Sequence, residues 1–140
     1  MTLEVIETDD LAACHAIRRA VFIDEQGFTD EEEWDDLDEG SIKLLIKDGT
    51  QPVATARLLV QDGIGKIGRI CVLKEGRGKG LGAKLVLFGL EHFRNNPAIN
   101  TVELGAQCHA LGFYEKLGFS AFGEEYLDGS VPHRNMRCAV

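Results

Sequence analysis

The sequence predicts an α/β fold: a mixed, mostly antiparallel sheet with one central parallel strand pair, flanked by helices. Two patterns and a length carry this. Ser41–Lys47, Val53–Gln61 and Ile67–Val72 are apolar runs separated by the turn signals Asp48-Gly49 and Asp62-Gly63, the pattern of a three-strand antiparallel meander. Ile67–Val72 leads into a long helical periodicity and then a further strand, Thr101–Ala106; such a strand–helix–strand unit implies a right-handed crossover and parallel pairing. The 140 residues, 44% of them hydrophobic, suffice for one domain, residues 1–140, with a proper core.

Taken in order, Leu3–Glu7 reads as the opening strand. Asp9 or Asp10 can cap a helix reaching about Phe22, whose apolar side holds Leu11, Cys14, Ile17, Val21 and Phe22 and whose opposite edge holds Arg18 and Arg19. Ile23–Phe28 is an exit loop broken by Gly27. Thr29-Asp30-Glu31-Glu32 fits a capping box and starts a short acidic turn or helix, with Trp34 and Leu37 pinning it down. The meander follows, then a helix from about Gly78 to Arg94, ending before Asn95-Asn96-Pro97. The tail comprises Thr101–Ala106, a short helix Ala110–Leu117, a strand near Ser120–Glu125, a turn at Leu127–Pro132 and a last strand, Arg134–Cys138.

The informative stretch is Ile67–Gly82, IGRICVLKEGRGKGLG. Leu81, Leu85 and Phe88, with Val86, Leu90 and Phe93, give the helix a broad apolar face. Its first N–H groups have no internal partner, the dipole adds partial positive charge, and glycine lets an anion approach the backbone. Arg77 and Lys79 add charge at the same end, so a pyrophosphate is expected here. The plainer reading is a set of glycines packed against a sheet. A nucleoside-triphosphate loop is excluded, because no Gly-Lys-Ser or Gly-Lys-Thr occurs. A dinucleotide fingerprint does match Gly78, Gly80 and Ala83, but halfway along a chain too short for two mononucleotide halves and a substrate domain. Ligands of strand–helix–strand units sit beyond the carboxyl ends of the strands, which places Val72, Gly78–Gly82 and Ala106–His109 around one crevice.

Charge and cysteine usage narrow the class. The net charge of −8 lies wholly in Asp30–Glu39, which holds eight acids and no base; the remainder carries 15 acids against 15 bases. Such a chain is a poor nucleic-acid binder. A cationic amine steered by this patch is one expectation; a solvated acidic turn is the other. No apolar run is long enough to span a membrane, and the N-terminus lacks the pattern of a secretory signal. Cys14, Cys71, Cys108 and Cys138 are scattered, as expected of reduced, mostly buried thiols in a cytoplasmic protein with no metal site.

A second motif, Ala110-Leu111-Gly112-Phe113-Tyr114-Glu115-Lys116-Leu117-Gly118-Phe119, settles the frame of the first. With Arg77, Gly80 and Gly82 read as R-x-x-G-x-G, the pair resembles the two coenzyme-A motifs of the GNAT superfamily of acyl-CoA N-acyltransferases, in the right order and spacing. Arg18-x-x-Val21-Phe22-Ile23-x-Glu25-Gln26, Asp36-x-Asp38 and Pro132-His133-x-x-Met136 extend the likeness over the whole chain and are similar to the ElaA-like branch. Gln107 stands where many members carry asparagine, so no role is carried over from that residue.

The resemblance implies the GNAT fold, with helices on both faces, and acetyl transfer from acetyl-CoA to the primary amine of a small molecule. The cofactor-binding residues would be Ile70, Cys71, Val72, Arg77, Gly78, Lys79, Gly80, Leu81, Gly82, Gln107, Phe113, Tyr114 and Lys116. Ile70 and Val72 would pair with pantetheine as a strand does, the Val72 N–H would polarise the thioester, and Tyr114 would be the acid near sulfur. Phe113 is expected in the core. Glu25 is the first choice of base, needing burial or a neighbouring acid to raise its pKa; His133 and His109 are rivals that need no such shift. A Cys108–His109 nucleophile is disfavoured, since adjacent residues at a strand end point apart. The alternative function is a non-catalytic acyl-CoA sensor of the same fold. A homodimer is left open, and no nucleic-acid or membrane partner is expected.

Overall fold

The computed structural model describes residues 3–140. The chain runs β1 (Val5–Thr8), α1 (Leu11–Arg18), a π-helical continuation (Arg19–Glu25), α2 (Asp30–Glu33), β2 (Ile42–Asp48), β3 (Gln51–Gln61), β4 (Ile64–Val72), a 3₁₀ turn (Lys74–Gly76), α3 (Leu81–Arg94), β5 (Thr101–Gln107), a 3₁₀ turn (Cys108–Ala110), α4 (Leu111–Glu115), β6 (Ser120–Asp128) and β7 (Val131–Ala139). The strands form one sheet in the order β1-β2-β3-β4-β5-β7-β6. All neighbours are antiparallel except β4 and β5, which are parallel. The expected meander and parallel pair are both present.

Local chemistry explains the element ends. Asp10 caps α1 by accepting the Ala13 N–H at 3.0 Å. Thr29 and Glu32 form both bonds of the capping box that opens α2. Asp62 and Gly63, with φ of +54° and +76°, turn β3 into β4, a two-residue hairpin that needs positive φ at both positions. The first helix departs from expectation. It does not loosen into a loop at Ile23 but widens into π-helical turns, with Gln26 N–H donating to Val21 O at 3.0 Å, before Gly27 at φ +82° ends it. Such wide turns cluster at functional sites. This one carries Phe22, Glu25 and Gln26 out over the end of the sheet.

Helices cover both faces. α3 lays Leu81, Leu85, Val86, Leu90 and Phe93 on one face, in a core with Leu58, Ile67, Val102 and Met136; α1, with Cys14 and Ile17, and its π-helical continuation, with Val21, cover the other against Leu45 and Cys71. Gly89 lets α3 lie close to the sheet: a Cβ there would stand 2.8 Å from Ile67 Cδ1 and 3.0 Å from Leu58 Cδ2. Among the described residues no helix is long and apolar enough to cross a membrane. The four cysteines are free; Cys14 and Cys71 are buried, while Cys108 and Cys138 are half-buried.

Candidate functional site

The site begins with a failure of pairing. β5 runs for seven residues and pairs with β7 along its whole length, but it meets β4 only at Gly65↔Val102 and Lys66↔Glu103. Beyond those rungs the parallel strands part, leaving the β5-facing edge of β4 without a strand neighbour as far as Val72. A bulge sits in the same place. Arg69 and Ile70 together oppose the single residue Ala56 of β3, and Arg69 takes a left-handed φ of +52°. Past the bulge, Leu73 N–H donates to Val53 O on β3 at 2.8 Å, so strand alternation turns the Val72 amide towards the gap.

The gap ends at the start of α3. Gly80, at φ +73°, is the N-cap, and it offers no side-chain acceptor. The N–H groups of Gly80, Leu81, Gly82 and Ala83 find no acceptor among the described residues; the first backbone bond into the helix is Lys84 N–H to Gly80 O at 3.1 Å. Space is open as well: a Cβ on Gly78 or Gly80 would meet nothing within 4 Å. Unpaired amides at a 14-residue helix start, with clear space before them, fit a diphosphate. The cations expected beside them are engaged elsewhere. Arg77 donates from Nε to Val72 O at 3.1 Å and clasps Glu25 at 2.8 and 2.6 Å, while Lys79 lies 3.7 Å from Asp48.

Between the parted strands and the π-helical turn lies a cleft of about 230 Å³. Tyr114, His133, His109, Gln107, Ile70 and Ala110 line it, as do Phe22, Gln26, Arg69 and Gly105. Tyr114 is 9% exposed, and burial pushes its hydroxyl up to about 12, so it keeps its proton throughout the physiological range. His133, on β7, is buried; its Nδ1–H donates to Val131 O at 2.8 Å, which leaves Nε2 as the acceptor of the neutral ring. The ring stacks on Tyr126 at 5.8 Å and pairs in register with Gln107. Gln107 links Gln26, at 2.8 Å, to His109, at 2.6 Å.

Several sequence expectations are corrected here. Glu25 is not poised as a base: the hydrogen bonds from Arg77 hold its exposed carboxyl below the usual range, the reverse of the shift a base requires. Phe113, expected in the core, is 41% exposed beside Gly82, and its neighbour Tyr114 takes the buried place. The Cys71 side chain belongs to the core under α1, so only its backbone borders the gap. Leu37, expected to pin the acidic turn, is exposed; Lys116, at the end of α4, is exposed and open to a ligand. Cys108 donates to Glu125 rather than to His109; desolvation and that carboxylate raise its thiol pKa, against a nucleophilic role.

Four of the eight acids of the acidic segment, Asp30, Glu33, Asp35 and Asp38, pair with arginines, and the other four are exposed. Arg18, expected at the helix edge, is 2% exposed and binds Glu33 and Asp38, each at 2.7 Å. Arg57 binds Asp35 and Asp38, and Arg69 reaches Glu33 O and Asp35. Asp30 pairs with Arg19. Trp34 lies under Arg18 and Arg19, with guanidinium-to-ring distances of 5.2 and 5.6 Å. Hydrogen bonds from Arg57 draw Asp35 down to about 2. Burial raises Glu33; the same effect on Asp38 is outweighed by Arg18 and His15, and its pKa falls. The network ties α1 and the acidic segment to the strained bulge at Arg69. Sequence reasoning missed Arg69, Phe22 and Gln26 as cleft residues. An arginine inside the apolar run IGRICV was the one faint signal.

Comparison with known proteins agrees with this geometry. Residues 15–140 match the GNAT acetyltransferase domain family. The uncharacterized N-acetyltransferase YjcF of Bacillus subtilis is 38% identical over 121 residues, 86% of each chain. Protein ElaA of Escherichia coli is 32% identical over 94% of this chain and 88% of its own, and its crystal structure superposes with a TM-score of 0.83 over 98% of this chain and 99% of that one. An acyl-CoA N-acyltransferase from Pseudomonas aeruginosa, 30% identical, superposes with a TM-score of 0.86 over 99% of this chain and all of that one. The parted parallel strands, the open helix start and the motifs that build them place this chain in the GNAT acetyltransferase family, among relatives of ElaA.

Proposed function

We propose that the chain catalyses direct transfer of an acetyl group from acetyl-CoA to the primary amine of a small molecule. The observation that carries this reading is the presence together of the parted β4–β5 edge, the open amides at Gly80–Ala83 and the Tyr114–His133 cleft. Acetyl-CoA supplies an activated thioester. The α3 amides hold its diphosphate and the β4 edge aligns its pantetheine arm, fixing the carbonyl for attack; such positioning lowers a barrier by roughly 7–11 kcal/mol. The Val72 N–H polarises the carbonyl oxygen. His133 Nε2 accepts the proton lost by the amine as the C–N bond forms. Tyr114 O–H returns a proton to sulfur as the C–S bond breaks, so the products are an amide and a free thiol. His133 replaces Glu25 as the preferred base, because its accepting nitrogen is set by a backbone bond and it lines the cleft.

The test is thiol release from acetyl-CoA across a panel of amines, with Tyr114→Phe beside the wild type. Loss of about a hundredfold in kcat with unchanged CoA affinity supports the reading. Full turnover by Tyr114→Phe removes Tyr114 from its role. Tight CoA binding with no thiol release from any amine would favour the sensor.

A further inference from the structure

The acyl-transfer reading leaves the acceptor unnamed, and the cleft carries information about it. Among the residues lining the cleft there is no aspartate or glutamate. Three nearby carboxylates are committed, Glu25 to Arg77, Glu33 to Arg18 and Asp35 to Arg57, while Asp128 stands outside the lining, 3.9 Å from His133 Nε2. The acids of the segment that face Arg69, Glu33 and Asp35, are thus already engaged, and the exposed Glu31, Glu32, Asp36 and Glu39 are not among the residues that line the cleft. The one formal charge in the lining belongs to Arg69. Its Nη2 donates to Glu33 O at 3.0 Å and reaches Asp35 at 3.3 Å. Its Nε lies 3.2 Å from Glu33 Oε2, near enough for attraction but not aligned as a hydrogen bond. These contacts anchor the guanidinium from one side, and the two N–H donors of Nη1 find no acceptor among the described residues. The side chain is partly exposed, and the bulge at φ +52° presents it beside Ile70, next to the strand edge where the thioester is held. At about 230 Å³ the cleft is below the usual size of ligand pockets, so its occupant is small.

We propose that the acceptor is a small amino acid-like molecule whose carboxylate is received by Arg69 while its amine faces His133. This rests on the acyl-transfer reading for the amine's fate but not for the anion site itself. The guanidinium is pre-positioned by its ties to Glu33 and Asp35, so little side-chain freedom is lost on binding. Charge-assisted bonds of this kind are the strong ones in a partly desolvated cleft. A polyamine or other acceptor that is cationic throughout would find Asp128 beside His133 at one end and meet the guanidinium of Arg69 at the other.

The experiment measures thiol release from acetyl-CoA with the common amino acids, their carboxamides and the matching decarboxylated amines. The acids are expected to exceed both neutral and cationic counterparts in kcat/KM by about ten- to a hundredfold. Equal or better turnover of the carboxamides or decarboxylated amines overturns the proposal and leaves acyl transfer intact. Arg69→Gln is expected to raise KM for the acids about tenfold while sparing KM for acetyl-CoA and for carboxamides; an equal loss for both acceptor types would mark Arg69 as structural and overturn it. Should that variant fail to fold, the wild-type ranking decides. Calorimetry of the deaminated acids and their amides on the CoA-loaded protein separates the two readings. Binding of acids alone, without thiol release from any amine, refutes acyl transfer and upholds the anion site. No preference for acids refutes the site.

Discussion

Replacing Gly80 by alanine separates what the helix start does for folding from what it does for the ligand. Gly80 sits at φ +73°, and a Cβ added there would meet nothing within 4 Å, so the substitution creates no clash and its cost is backbone strain alone. A left-handed alanine costs about 1–2 kcal/mol, or roughly 3–6 °C in Tm for a chain of this size. Gly63 is the matched control: φ is +76°, the surrounding space is also open, and it lies in the β3–β4 turn, at the end of β4 away from the start of α3. Gly63→Ala should lower Tm by the same amount. Only at Gly80 does the added methyl stand before the amides of Leu81 and Gly82, where a diphosphate must approach. Gly80→Ala should therefore weaken CoA binding by about ten- to a hundredfold, as expected when charge-assisted hydrogen bonds are lost, while Gly63→Ala leaves it unchanged. Differential scanning calorimetry and CoA titration of both proteins measure the two effects. Equal CoA affinity in the two variants, with both melting temperatures lowered, would refute the assignment of the anion site to α3.

Further outcomes follow from the network, the packing and the catalytic pair. Arg18→Met leaves Glu33 and Asp38 without their buried partner and should cost about 3–5 kcal/mol in chemical denaturation; a loss under about 1 kcal/mol would show the pair to be well solvated. Asp35, drawn down to about 2 from 3.8, contributes stability that is full above its unfolded pKa and lost as pH falls towards 2. With solvent screening at this partly exposed site the contribution is about 1–2 kcal/mol, so Asp35→Asn should flatten the denaturation free energy between about pH 4 and pH 2. Gly89→Ala drives a methyl into Ile67 and should destabilise by about 1–3 kcal/mol; a rise in Tm would mean that α3 shifts freely on the sheet. His133→Gln should lower kcat by about a hundredfold with KM for acetyl-CoA retained, and steady-state kinetics would detect any smaller loss.

The parts of this architecture that repeat at short range were legible in the sequence. Capping at Asp10 and Thr29, the Asp62-Gly63 hairpin and the apolar face of α3 are written within a few residues of where they act. The start of α3 lies at Leu81, not about Gly78, because Gly78 and Gly80 both adopt positive φ and cannot begin a right-handed helix. What lay beyond reach depended on partners distant in the chain. The fate of Glu25 was decided by Arg77, 52 residues away, and Glu33, Asp35 and Asp38 of the acidic segment were answered by Arg18, Arg57 and Arg69 from three other elements. Phe113 was misplaced in the core because α4 is only five residues long, too short for a period to say which face is inward. Arg69 escaped notice because a bulge, invisible in composition, turns it out of the strand's alternation.

Only two rungs join the parallel strands, with a Lys66–Glu103 ion pair at 2.9 Å beside them. Mechanically the sheet is two panels, β1–β4 and β5–β7, sharing a narrow seam spanned by α3. A ligand laid along that seam acts as a splint: it contacts both panels and stiffens their mutual angle. Amide hydrogen exchange in β4 and β5 should therefore slow together on CoA binding, well beyond the residues that touch it, and the empty protein's softest motion should be the flexing of one panel against the other.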